Sequence, residues 1–489
     1  MKVHSLSQWC RSLLVVAVSA VWVGVPVPAS AQTPKPSAPT FAKDILPIFQ
    51  QSCQVCHRAD GMAPMSLVSY NDVRPWARAI RTRVMNREMP PWALDRTVGI
   101  QSFANDQSLS DEQIKTVVAW VDAGAPAGDP KDMPPAKQWP AGDVWQLAEY
   151  FKRPPDLVVK SGRYMMPAVS MDQWWQPMSD YVFPEDRWVA GTETRPAAIS
   201  RKVVHHAGTH LYQREDPEFV KNRAALLGGK VMDAKVVAPP TTKPTDSFDP
   251  KDLEDPEPGG QYFSEWAIGK NGEIFEETNS GQFIRKGARF GFDMHLYATG
   301  EATPAELEVA LWFYPKDVLP KYRAFKSSFT ASSRTGTTGG TPLNIPPGQV
   351  SMHEGYTILG APAIVVNYQP HMHLRGKAMT MEVIYPDGHV EMLNSVETFD
   401  FRWMVNYIYT EDSAPVLPRG AIVKVTAWHD NTAANKNNPD PKQYVTWGDR
   451  SVDEMAHSNQ VVIFISDEDY ERITKERAAK KGTATNNQQ

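Results

Sequence analysis

FAKDILPIFQQSCQVCH, residues 41–57, decides how the first part of the chain folds. Phe41, Ile45, Leu46 and Phe49 recur at helical spacing and form one apolar stripe. The stripe leads into Cys53, Gln54, Val55, Cys56 and His57, which spell CQVCH. Two thiols three positions apart can each add across a vinyl group of one haem, and the next residue offers an imidazole to the iron. The motif predicts covalent haem c on Cys53 and Cys56, with His57 as an axial ligand.

Working outward, Ser110, Asp111 and Glu112 cap a second helix that carries Ile114, Val117, Val118 and Val121, and Gly124 and Pro126 stop it. The second axial ligand is sought among Met62, Met65, Met85 and Met89. Met62 and Met65 follow His57 too closely to pass around a porphyrin edge. Met89 is preferred because Pro90, Pro91 and Trp92 follow it, and paired prolines hold a loop extended; the alternative is that Met89 is core and the distal position is open or held by Met85.

Ahead of this unit, Lys2 and Arg11 precede an apolar run from Leu13 to Val27, and Ala29, Ser30 and Ala31 make a small-residue cleavage site. That pattern is an export signal and predicts a periplasmic or secreted protein. The run is shorter than the roughly 20 residues a spanning helix needs, and no later stretch is long and apolar enough, so no membrane span is expected. Cys10 leaves with the leader, so no pair remains for a disulfide. Formal net charge is −5, and losing Lys2 and Arg11 makes it about −7 on the same count. No basic concentration suggests nucleic acid or an anionic membrane as partner.

Length predicts about three domains on a prior of roughly 150 residues each. The 41 Pro and 15 Trp favour turn-rich β architecture beyond the first unit, and the short intervals between Pro and Gly favour many short strands in sandwiches or barrels. The expected organisation is a signal peptide at 1–31, a linker at 32–40, a helical domain at 41–128, a linker at 129–143, a β domain at 144–325, a linker at 326–348, a second β domain at 349–473 and a flexible tail at 474–489. A polar, Pro-laden insert at 239–260 reads as a surface loop.

The β part holds most of the twelve histidines. In PHMHLRGKAM, His371 and His373 alternate, so on a strand both imidazoles face one side and can grip one metal. Pro386, Asp387 and Gly388 make a hairpin turn after them. In RKVVHHAGTH, His205 and His206 are neighbours, which a regular strand points apart; a bulge or strand end is needed to converge them. His295 lies in RFGFDMHLYATG and Met455 in SVDEMAHSNQVVIF. His210, His353, His389, His429 and His457 read as loop residues or neighbours of ligands, with His457 the first to reconsider because Met455 is so near.

The helix before CQVCH and the closing AWVDAGAP resemble class I cytochrome c, over about a sixth of the chain. In order, His205 and His206, then His295, then His371 and His373, then Met455 in its DEM motif resemble the ligand sequence of the copper type II, ascorbate-dependent monooxygenases. That family includes peptidylglycine α-hydroxylating monooxygenase and dopamine β-monooxygenase. The resemblance implies a small all-α cytochrome c domain followed by two all-β, jelly-roll-like sandwich domains with one copper each. It implies that His205, His206 and His295 bind an electron-transfer copper, and that His371, His373 and Met455 bind the copper that activates dioxygen; a thioether suits Cu(I).

The expected function is hydroxylation of a substrate C–H bond with dioxygen, in a small-molecule or peptide-like substrate. The haem would pass single electrons from an external donor, ascorbate or a redox protein, to the copper sites. The chain departs from the animal enzymes in offering no disulfides, and in placing Leu296 and Tyr297 after His295. The competing expectation is a non-catalytic electron-transfer or copper-handling protein, which the absence of any further Cys thiolate weakens.

Overall fold

Thr40 opens the first helical run: its hydroxyl accepts from the Lys43 N–H, and its own backbone N–H donates to Asp44 at 2.7 Å. The run continues through Phe41–Ile45 and Leu46–Ser52. The whole predicted stripe, Phe41, Ile45, Leu46 and Phe49, is buried. It packs with Val73, Ile80 and Val84, and with Val117 and Trp120 of helix Asp111–Asp122, in a hydrophobic core of its own. Helix Asp111–Asp122 begins with a capping box between Ser110 and Gln113. Its largest buried side chain is Trp120, whose indole N–H donates to the Pro126 carbonyl at 3.0 Å; Val118 is only half-buried.

The computed structural model describes residues 38–59, 61, 63, 65–139, 144–215, 217–227, 260–267, 272–333 and 341–486. The expected leader, Met62 and nearly all of the 239–260 insert lie outside the described residues. The chain is rich in β-sheet, with several sheets and few helices. No helix among the described residues is long and apolar enough to cross a membrane.

One large sheet runs in the order Leu157–Lys160, Leu307–Phe313, Arg187–Pro196, Ser280–Ile284, Tyr322–Thr330, His457–Phe464, Ala363–Val365, Val416–Leu417. Strand Tyr322–Thr330 joins its two halves, parallel to Ser280–Ile284 on one side and antiparallel to His457–Phe464 on the other. A four-stranded sheet of Gln173–Trp175, Arg289–Leu296, Val204–Tyr212 and Gln261–Trp266 carries His205, His206 and His295. A second one, of Val350–Ile358, Ile422–Asp430, Gly376–Ile384 and Val390–Val396, lies later in the chain. Apolar side chains from all three sheets, among them Phe290, Phe292, Val309, Phe329, Val425 and Val462, form one contiguous core.

Two stretches differ from their sequence reading. Strand Tyr322–Thr330 extends into the stretch 326–348 read as a linker, because Lys326 is buried there between the carboxylates of Glu265 and Glu273. At the other end, the tail expected to fray is the continuation of helix Asp467–Asn486. Arg477 holds it in place by donating to the Ala414 and Glu411 carbonyls, and Lys480 pairs with Asp412.

The segment between helices Ala77–Met85 and Asp111–Asp122 does not stay with the helical core. Trp92 lies 4.8 Å from Tyr407, ring to ring, and Phe103 stacks on Tyr409 at 5.4 Å. Asp95 and Ile100 donate backbone hydrogen bonds to Ser395 and Leu393, so residues 92–105 run along the edge of the later β half.

Candidate functional site

His205 and His206 converge because the strand is bulged where they sit. Strand Val204–Tyr212 pairs with Arg289–Leu296, and the register slips between Val204 and His206, leaving His205 as the extra residue. A bulge re-aims a side chain that regular pleating would send to the other face. The two Nδ1 atoms come within 2.9 Å, and His295 stands directly opposite His206 in the register. All three ring pairs have centroids 5.1 Å apart. One nitrogen from each of the three lies within 4.8 Å of the others, a spacing that suits a metal ion.

The surroundings fix the tautomer of His295. Its Nε2 is 2.9 Å from the Asp172 carboxylate, which also accepts from Ser451 at 3.0 Å. A carboxylate accepts, so Nε2 carries the proton, and the buried Nδ1 is left with no hydrogen-bond partner. Trp174, paired with His295 across the strands, stacks flat on it at 4.7 Å. The hydrogen bond from His295 holds the Asp172 carboxyl below its ordinary range.

His371 and His373 come together by a different route from the one the sequence suggests. His371 ends the short strand Pro370–His371, and His373 already lies beyond it, yet their rings are 5.4 Å apart. His373 is fully buried; its Nδ1 is 3.2 Å from the Asp453 carbonyl, and its Nε2 has no partner. The carboxyl of buried Glu454 accepts the backbone N–H of His373 at 2.8 Å and also that of Arg375. Asp453 and Glu454 of the DEM motif therefore brace the His373 turn, with Met455 next in the chain. Met455 is half-buried just before strand His457–Phe464, and its carbonyl accepts from His429 Nε2 at 3.1 Å.

The two histidine sets adjoin. The ring of His206 lies 5.5 Å from that of His371, and Phe401 packs against His205, His295 and His373. His457, set aside in the sequence reading, stacks on His371 at 4.6 Å and is its register partner. The available signal was its position two residues after Met455, on the strand that Met455 precedes. Of the remaining histidines, His210 stacks on Tyr262, and His389 sits exposed beside Asp387.

Burial is the dominant cause of the low imidazole pKa values in this cluster. It pushes His205, His373 and His457 down to about 4, and His206 and His371 well below the usual range. Neutral imidazoles are the metal-binding form. The same shifts predict the acid behaviour of the metal-free protein. Between 6.5 and about 4 the unfolded chain binds protons that the folded rings refuse, so stability falls as pH drops through that window. An isolated ring shifted this far contributes on the order of 3 kcal/mol, and neighbouring rings share protons, so the set gives less than the sum. Glu454, raised to about 8 by burial, opposes the trend. Chemical denaturation of the chelator-treated protein at pH 7 and pH 4.5 should show a loss of several kcal/mol; equal midpoints and slopes would contradict this.

The CQVCH motif follows directly on helix Leu46–Ser52, which Cys53 caps. Both thiols are free, and burial pushes that of Cys53 up to about 12. His57 Nδ1 is 3.1 Å from the Met65 carbonyl, so that nitrogen carries the proton and Nε2 is the available ligand atom. Met65 is thereby a backbone anchor for His57. Met85 is 50% exposed beside Arg81, whereas Met89 is half-buried and donates its N–H to the Arg83 carbonyl.

No family model matches the chain, and no curated protein does. A solved two-domain protein of unknown function from Bacteroides fragilis aligns with 67% of this chain and 100% of its own at 8% identity, with a TM-score of 0.14. A likeness at that level carries no argument about fold or function.

Proposed function

We propose that the chain is a periplasmic or secreted haem- and copper-containing monooxygenase of the ascorbate-dependent copper type II class. In this reading residues 41–128 are a class I cytochrome c domain, and residues 144–325 and 349–473 are two jelly-roll-like copper domains. The observation that carries it is the convergence of His205, His206 and His295, adjoined by His371 and His373, in a chain that also bears CQVCH.

The residues fit the groups proposed for them. His57 has one nitrogen anchored and one available, with two free thiols beside it. His295 and His373 each have one nitrogen braced by an oxygen acceptor and the other buried and bare, the arrangement that ligating histidines show. When bound, the haem supplies one-electron transfer and the coppers supply electron storage and dioxygen activation. Asp172 and Trp174 hold His295 rigid, Glu454 and the Asp453 carbonyl hold His373, and Met455 offers a thioether that favours Cu(I). Phe401 packs against three of the rings.

The reaction consumes dioxygen, two electrons, two protons and a C–H bond, and yields an alcohol and water. No side-chain nucleophile is required. The test is dioxygen uptake by the copper-loaded protein with ascorbate, over a panel of small-molecule and glycine-extended peptide substrates in labelled dioxygen. Substrate-dependent uptake with one labelled oxygen atom in the product is expected. Copper that cycles with ascorbate while no substrate in the panel stimulates uptake would favour electron transfer or copper handling instead.

A further inference from the structure

We infer that His353 and His429 form a third metal site, separate from the two histidine sets above and suited to Cu(I). Strands Val350–Ile358 and Ile422–Asp430 are antiparallel partners, with His353 opposite Ala427 and Ser351 opposite His429. The two histidines are therefore diagonal neighbours on one face of the sheet. Their ring centroids are 5.4 Å apart, the same separation as His371 and His373. His429 is fully buried, and His353 is 7% exposed.

Their hydrogen bonds fix the chemistry of each ring. His429 Nε2 lies 3.1 Å from the Met455 carbonyl, and His353 Nε2 lies 3.0 Å from the Asn344 carbonyl. A carbonyl oxygen only accepts, so His429 Nε2 carries its proton and its Nδ1 presents a bare lone pair; His353 Nε2 also lies 3.4 Å from the Asn344 N–H, and the shorter contact to the carbonyl favours the same tautomer there. Neither Nδ1 has a hydrogen-bond partner. His295 and His373 show the same signature, one nitrogen braced and the other bare. Ser351 adds an unpartnered hydroxyl on the same face.

A buried polar group without a partner is costly, and three on one face call for an occupant. The donor set selects it. Two neutral imidazoles and a hydroxyl carry no negative charge, which disfavours Ca²⁺ and Mg²⁺. Cu(I) accepts few ligands and binds imidazole well. The carboxyl of Glu454 lies 3.7 Å from the protonated Nε2 of His429 and so on the wrong side of the ring to be a ligand. His429 thus links this pair directly to the DEM motif, through the Met455 carbonyl. A single buried water satisfying the same atoms is the competing occupant.

The test compares full-length haem-loaded wild type with His353→Gln. Both are reduced and loaded anaerobically with Cu(I) from a bicinchoninate complex, desalted and assayed for copper. Wild type should retain one more copper per chain than the variant; equal contents would overturn the site. The difference between the two proteins is the reading, so it stands whether or not the protein proves to be an oxygenase. Should His353→Gln fail to fold, histidine ¹⁵N NMR of the reduced wild type replaces it. Cu(I) should shift both Nδ1 resonances, and resonances that stay at their metal-free positions would leave a buried water in the site.

Discussion

Replacing Cys53 and Cys56 together by alanine will leave a chain that shows no haem stain on a denaturing gel. In the proposed attachment each thiol forms one thioether, so the double variant would have no covalent link, and axial ligation by His57 would not survive denaturation. The helical core loses little by the change, since only Cys53 packs against it; a single packed sulfur is worth about 1 kcal/mol. The β sheets hold their core independently of the thiols, so copper binding at the histidine sets should persist. Covalent haem retained in the double variant would contradict the assignment of CQVCH.

On the proposed function, His371→Ala should lower oxygenase turnover by at least about 10³-fold, because it would remove a proposed ligand from a unit that works only when complete. Copper at His205, His206 and His295 should remain and stay reducible. That set is positioned by the bulge at His205, by Asp172 and by Trp174, none of which depends on His371. The proximity of His206 to His371, 5.5 Å between rings, makes this a demanding test. Copper content falling by one equivalent, with the remaining Cu(II) signal intact, is the expected outcome. Loss of both coppers would mean that the two sets share a single centre.

The parts of this architecture that the sequence revealed are those with local causes. The stripe from Phe41 to Phe49 is periodic, and burial follows the period. The adjacency of His205 and His206 demanded a bulge, and the register slips there. His371 and His373 were expected to meet on a regular strand; they meet across a strand end, braced by Asp453 and Glu454, because long-range hydrogen bonds override the pleat. The approach of His206 to His371 has no local signature at all, since their strands lie in different sheets. Nor does the course of residues 92–105 along Leu393 and Ser395, which is set by pairing across about three hundred residues. The terminal helix did carry a signal that the charge count obscured: Asp467, Glu468 and Asp469 in its first turn favour the positive end of the helix dipole.

Met455 is where the proposed function is most exposed, because a methionine before a strand serves a core as well as it serves a metal. Its neighbours Asp453 and Glu454 are committed to holding His373, which places the motif beside the second histidine set without deciding what the thioether does. X-ray absorption at the copper edge of the fully reduced protein decides it. Sulfur scattering alongside imidazole nitrogen is expected in wild type and should vanish in Met455→His while copper and fold are retained. A wild-type spectrum with nitrogen and oxygen neighbours alone, together with a Met455→His variant altered only in stability, would contradict the monooxygenase assignment.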